Sequence, residues 1–219
     1  MAKSNTKGTN FLVQGSILAI ASIISRIIGL IYRIPMTAII GDVGNNYYAA
    51  AFDIYNVMLI ISSYSLPLAV SKLVSAKMTK GQFKTAYQVL KGALLFALVS
   101  GTIVAVIVFF GAGFFTKTLL STPNSIFALR VLAPALIIVA VLGVIRGFFQ
   151  GLGTMMPSAV SQIIEQVVNA IVSVWAAYVL YRVGAKTGAV LGDKEHYAAA
   201  YGAAGGTLGT NLGSVAALL

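Results

Sequence analysis

Six apolar stretches, roughly 11–40, 47–71, 86–115, 126–149, 157–181 and 198–219, take up most of this 219-residue chain. Each is long enough to supply the ~20 residues that cross the hydrocarbon core of a bilayer. Nothing constrains the fold more, because a bilayer offers no water to unpaired backbone groups. Only 9% of the residues are charged and 58% are hydrophobic, with a mean hydropathy of +0.92. Soluble domains carry about 25% charged residues. The expected fold is an all-α integral membrane protein, with a short tail at residues 1–10 and six transmembrane helices over 11–219. Pro35, Pro67 and Pro134 remove backbone donors inside three of the spans and invite kinks.

The start of the chain imitates a cleavable leader, with Lys3 and Lys7, an apolar run and then Ala19-Ile20-Ala21. The run continues past Ser22, so it reads as a retained first span. The far end, Gly213 to Leu219, is apolar with no basic flank, and the expectation is a fragment cut near its sixth helix.

The net charge of +10 sits in the connections between apolar runs. That is how a membrane protein sets its orientation, so nucleic-acid binding carries little weight. Lys3, Lys7, Lys72, Lys77, Lys80, Lys84 and Arg146 fall on one side, and Lys117, Arg182, Lys186 and Lys194 on the other. Seven against four predicts a cytoplasmic N-terminus. With no cysteine and one histidine, His196, disulfides, thiol chemistry and a His/Cys metal site are excluded, and no cofactor is expected. No nucleophile–base pair is present, so the chain reads as a non-enzyme.

Chemistry concentrates in two places. Arg26 and Arg33 lie seven residues apart in the first span, which puts both guanidinium groups on one helical face about 10.5 Å apart along the axis. An arginine facing lipid costs from ~2.5 to more than ~10 kcal/mol, so this face should border an interior cavity that favours negative charge. The bland alternative is that Arg33 snorkels to the headgroups. In the fifth span Gln162, Glu165, Gln166 and Asn169 follow i, i+3, i+4, i+7 spacing and form one polar stripe. Interhelical hydrogen bonding explains the amides; a buried Glu165 needs a cation, with Arg26, Arg33, Arg130 and Arg146 as candidates. Asp53 opens the second span and either stands in the interface or pairs with Arg33.

Gly147, Gly151 and Gly153 lie in Arg146-Gly-Phe-Phe-Gln-Gly-Leu-Gly-Thr-Met-Met-Pro157. No strand precedes the segment and no Gly-Lys-Ser/Thr ending follows, so it reads as a tight turn with close helix approach, not a phosphate loop. Gly205, Gly209 and Gly213 repeat every four residues and mark a packing face.

Several segments together resemble the MurJ/SpoVB-type flippases, in the polysaccharide branch of the multidrug/oligosaccharidyl-lipid/polysaccharide exporter superfamily. They are Ser25-Arg-Ile-Ile-Gly29, Gly41-Asp-Val-Gly44, Leu66-Pro-Leu-Ala-Val-Ser-Lys-Leu-Val74, Arg130-Val-Leu-Ala-Pro-Ala135, the 146–157 segment and Ser161-Gln-Ile-Ile-Glu-Gln166. The resemblance implies a bacterial plasma-membrane protein in which two six-helix lobes surround a cavity and flip an undecaprenyl-diphosphate-linked precursor, lipid II, by alternating access. This chain would be the N-terminal lobe, and the missing C-terminal lobe its partner. Ser25 and Arg26 match the family's Ser-Arg motif, and Arg33 matches a second arginine with a spacing one residue longer. Some relatives carry second-span arginines where this chain has Leu59 and Ile60. The resulting substrate-facing set is Ser25, Arg26, Arg33, Asp53, Arg130, Gln162, Glu165, Gln166 and Asn169. The alternatives are an exporter of another lipid-linked polysaccharide, a drug or cation antiporter of the same superfamily, whose cavity should be richer in acids than in arginines, and a non-transporting scaffold or pore lobe, which would not need Arg26 and Glu165 buried.

Overall fold

The computed structural model describes residues 3–219, with side chains from Val13 onward. The described residues form helices and turns with no strand: α1 (Lys3–Ser62), α2 (Leu66–Thr79), α3 (Phe83–Phe114), α4 (Ile126–Gly151), α5 (Met156–Leu191) and α6 (Lys194–Ala216). A short π-helical turn, Phe115–Leu119, and a 3-10 turn, Pro123–Ser125, join α3 to α4. The tail expected over 1–10 is helical from Lys3; Met1 and Ala2 lie outside the described residues.

The first two expected spans are arms of α1, which bends sharply at Gly41 (φ 69°, ψ 179°). That combination is open almost only to glycine. In a straight helix Tyr32 and Tyr48 would stand ~24 Å apart along the axis. Instead their hydroxyls approach to 3.5 Å, and the Arg33 guanidinium lies 5.9 Å from the Tyr48 ring centre. The arms therefore run antiparallel. The second arm does not continue to 71 as one helix. It breaks at Ser63–Ser65, and α2 restarts with Pro67 in its first turn, where the missing N–H removes nothing from the helix.

Among the described residues, four helical stretches are long and apolar enough to cross a membrane: Val13–Thr79, Phe83–Leu119, Pro123–Gly151 and Met156–Leu191. The first is 67 residues long and contains the α1 hairpin. The expected sixth span, α6, is not among the four. Its small residues explain this: Ala198–Ala200, Gly202–Thr207, Gly209 and Gly213 are buried against α1, α4 and α5. A helix wrapped by other helices meets little lipid and does not require a strongly lipophilic surface.

Close approach is built in by glycine. A Cβ at Gly205 would collide with Ala176 O, one at Gly209 with Ser173 Oγ, and one at Gly213 would lie 2.6 Å from Glu165 O. The glycine repeat thus fits α6 against the polar side of α5, the most extensive helix pairing in the molecule. The main core joins Met36, Ile40 and Tyr48 of α1 to Leu129, Leu132 and Leu136 of α4 and Ala199, Ala200 and Ala203 of α6. A smaller cluster, including Val70, Val74, Ala97, Ala140 and Val144, holds α2 and α3 on α4. Gly147 and Gly151 let α4 meet Pro67, Ser71 and Val74 of α2 closely, and the chain then turns at Gly153 (φ 86°).

Candidate functional site

The antiparallel arms of α1 frame an open groove of about 500 Å³. Arg26, Gly29, Leu30, Tyr32 and Arg33 line it from the first arm; Tyr48, Ala49, Phe52, Asp53 and Asn56 line it from the second. Helical spacing makes this inevitable once the hairpin forms. Positions 26, 29 and 33 share one face, as do 49, 52, 53 and 56. Arg26, Arg33, Asp53 and Asn56 are exposed, while Tyr48 is buried and forms the floor. Among the described residues the carboxylates within ion-pair distance of a basic side chain are Glu165, on Arg146, and Asp193, on the His196 ring, so Asp53 does not pair with Arg33. Two guanidinium groups and one carboxylate leave the groove net cationic.

The α5 stripe does not act as one face. With 3.6 residues per turn, Glu165 lies about 60° to one side of Gln162 and Gln166 about 40° to the other. Gln162 accepts a hydrogen bond from Ser22 Oγ (3.3 Å), and Gln166 Oε1 would lie 3.9 Å from a Cβ at Gly29, so both amides back the first arm of α1. Asn169 is buried, donates to Tyr32 OH (3.4 Å) and accepts from Ser173 Oγ (2.9 Å). Through Tyr32 it braces the groove from behind.

Glu165 turns the other way. Its Oε2 accepts from Arg146 Nη2 at 2.7 Å, and its Oε1 accepts from Ser214 Oγ at 3.2 Å. Arg146 also donates from Nε and Nη2 to Ser161 Oγ (3.1 and 2.8 Å), and Ser161 Oγ donates to Ala217 O (3.0 Å). Of the four candidate cations, Arg146 is thus the partner of Glu165. Its charge is compensated inside the helix packing, and the orientation asymmetry becomes six against four. Arg130 stands apart from the groove, exposed, with its guanidinium 5.7 Å from the centre of the Phe109 ring. Ser25 Oγ is buried and makes no hydrogen bond to the described protein.

The structure therefore gathers Arg26, Arg33 and Asp53, places Gln162, Gln166 and Asn169 behind them, and separates Glu165 and Arg130. Sequence reasoning did not assign Tyr32, Tyr48, Phe52 and Asn56 to the groove. Asn56 was legible at i+3 from Asp53. The three aromatic residues were not, because the two expected spans fix the reversal near Gly41 but not the register in which the arms pack. Ser161, at i−4 from Glu165, and Ser214 were missed in the same way.

An all-helical, multi-pass membrane protein with a cationic groove on one side of its helix packing is the class that fold and site define. The chain belongs to the polysaccharide biosynthesis protein family, which matches residues 11–195. It is 31% identical over 181 residues to the lipid II flippase MurJ of Bacillus subtilis (strain 168), covering 78% of this chain and 33% of that protein. It is 29% identical over 155 residues to the stage V sporulation protein B of the same organism, covering 71% and 30% respectively. A third relative there, the uncharacterized membrane protein YabM, is 28% identical over 179 residues, 80% of this chain and 32% of the relative. The chain spans about a third of the length of these curated relatives. No solved structure matches it.

Proposed function

We propose that this chain forms one lobe of a flippase that carries an undecaprenyl-diphosphate-linked cell-wall precursor, lipid II, from the inner to the outer leaflet. The observation that carries the reading is the groove, where Arg26 and Arg33 present donors that no protein carboxylate takes up. A diphosphate bears about two negative charges and suits the planar fork of arginine, which gives paired, charge-assisted hydrogen bonds. The similarity to the lipid II flippase MurJ supports that substrate class. A cation exporter would need a groove dominated by carboxylates, and Asp53 is the sole one here. The chemistry is transport, without bond making or breaking.

One groove wall on one lobe does not enclose a substrate, so a second lobe of the same protein completes the cavity and alternates its access. The six remaining basic residues on the N-terminal side support a cytoplasmic position for that side. The cysteine-free chain allows a direct check of orientation: single cysteines at Lys77 and Asp42, probed from outside intact cells, should label at Asp42 only. Labelling at Lys77 alone reverses the topology. For the function, the longer protein containing this chain should rescue cells depleted of their lipid II flippase. Failure to rescue despite normal membrane levels would refute the assignment to lipid II.

A further inference from the structure

Away from the groove, the turn between α5 and α6 carries a second cationic cleft of about 670 Å³, lined by Tyr181, Arg182, Ala185, Lys186, Lys194, Glu195 and Ala198. We propose that this cleft binds the phosphate of an anionic phospholipid, whose acyl chains lie along the adjoining face of α5.

The cleft is built by glycines. A Cβ at Gly184 would lie 2.5 Å from Tyr197 O, and one at Gly188 would lie 2.7 Å from Lys194 Cα. These two positions bring the start of α6 hard against α5, so Lys194 is held beside Arg182 and Lys186 instead of splaying away. Three cations then face one carboxylate, Glu195. The neighbouring Asp193, 2.8 Å from His196 Nδ1, lies outside the cleft lining, and with both acids counted the region stays cationic by one charge.

Helix dipoles do not account for these charges. Cations favour the last turn of a helix and are disfavoured in the first. No basic residue lies in the last turn of α5, and Lys194 opens α6. Like charges gathered without such compensation repel one another, and an anion relieves the repulsion. Arg182 is further oriented by stacking 4.4 Å over the Tyr178 ring.

The surroundings specify a lipid source. Trp175, Val179, Arg182 and Lys186 follow i, i+4, i+7, i+11 spacing, so they lie on one face of α5. Along that face, exposed Trp175, Tyr178, Val179 and Val183 give way to the cations. The 36 residues of α5 exceed the about 20 that span hydrocarbon, and the onset of charge at Arg182 and Lys186 points to its C-terminal end as the part at headgroup level. Aromatic residues followed by basic ones along a helix end match the order acyl chain, interface, phosphate.

Trp175 is the only tryptophan of the chain and serves as the reporter. The purified protein is placed in bilayers containing phosphatidylglycerol or phosphatidylcholine with brominated acyl chains, and quenching of Trp175 is titrated. The expected result is a preference for the anionic lipid on the order of fivefold, given about one net positive charge once Glu195 and Asp193 are set against the three basic side chains. The triple variant Arg182→Gln, Lys186→Gln, Lys194→Gln should abolish it. The control Lys91→Gln, Lys117→Gln, on α3 and in the turn that follows it, should retain it, and circular dichroism shows whether each variant is folded. Three outcomes overturn the proposal: equal quenching by both lipids, a preference that survives in the folded triple variant, or displacement by inorganic phosphate alone, which would mark a free-ion site. Should the triple variant unfold, Lys194→Gln alone, expected to lower the preference severalfold, decides by the same criterion.

Discussion

Two arginine-bearing regions of this molecule use the same chemistry to opposite ends. In the groove, Arg26 and Arg33 are exposed beside Asp53 and Asn56, with no ion pair formed. Between α4, α5 and α6, Arg146 meets Glu165 at 2.7 Å, Ser161 accepts from its Nε and Nη2, and only 17% and 18% of the two charged side chains remain exposed. Arg146 has its charge paired with a carboxylate and two of its nitrogens hydrogen-bonded, so it acts as a fastening between helices. An unsaturated pair of guanidinium groups fastens nothing and is free to hold an anion. Location among membrane helices does not by itself separate function from structure; pairing with a carboxylate does.

Arg26→Ala in the longer protein tests this most strongly. Transport-dependent growth should fall by more than about tenfold, the loss expected when a charge-assisted contact is removed. Thermal stability should move by no more than about 0.5 kcal/mol, as at an exposed position. Arg26→Lys should fall between, because lysine keeps the charge without the fork. A large drop in melting temperature for Arg26→Ala would erase the contrast between the two regions.

Glu165→Gln should show the inverse pattern. Leaving Arg146 without its carboxylate in a mostly buried site should cost about 3 kcal/mol, read as a lowered melting temperature. Adding Arg146→Gln should recover a good part of that loss, since no unpaired charge then remains. If the double variant is no more stable than the single one, the ion pair is not the fastening described here.

Gly209→Ala sharpens the account of how the network is held. The new methyl would press on Ser173 Oγ and on Asn169 O, and a cost of about 2 kcal/mol is expected from overpacking. Gly92→Ala, where a Cβ meets nothing within 4 Å, should instead stabilise slightly through helix propensity. Equal effects at the two positions would contradict the close α5–α6 fit.

The smallest expected effect is at Gly41. Alanine there must adopt φ 69°, ψ 179°, at about 1–2 kcal/mol. Transport should weaken while the response of the Arg146–Glu165 pair to Glu165→Gln stays unchanged. Coupling between the two would mean that bend and network are not independent.

Periodicity and charge alone determined a good deal of this protein. The length of the apolar runs dictated helices, because a bilayer core leaves backbone groups no other partners. The seven-residue spacing of Arg26 and Arg33 dictated a shared face, and the four-residue spacing of Gly205, Gly209 and Gly213 dictated a close contact, both consequences of the helical repeat. Only the tertiary structure decided which cation Glu165 takes, since four arginines were equally available in sequence and a contact depends on which helices become neighbours. The aromatic floor of the groove was settled the same way. Tyr32 meets Tyr48 because one glycine reverses α1, and no local pattern in either arm carries that distance. Local spacing fixes what a helix presents; the packing of the helices fixes what each face meets.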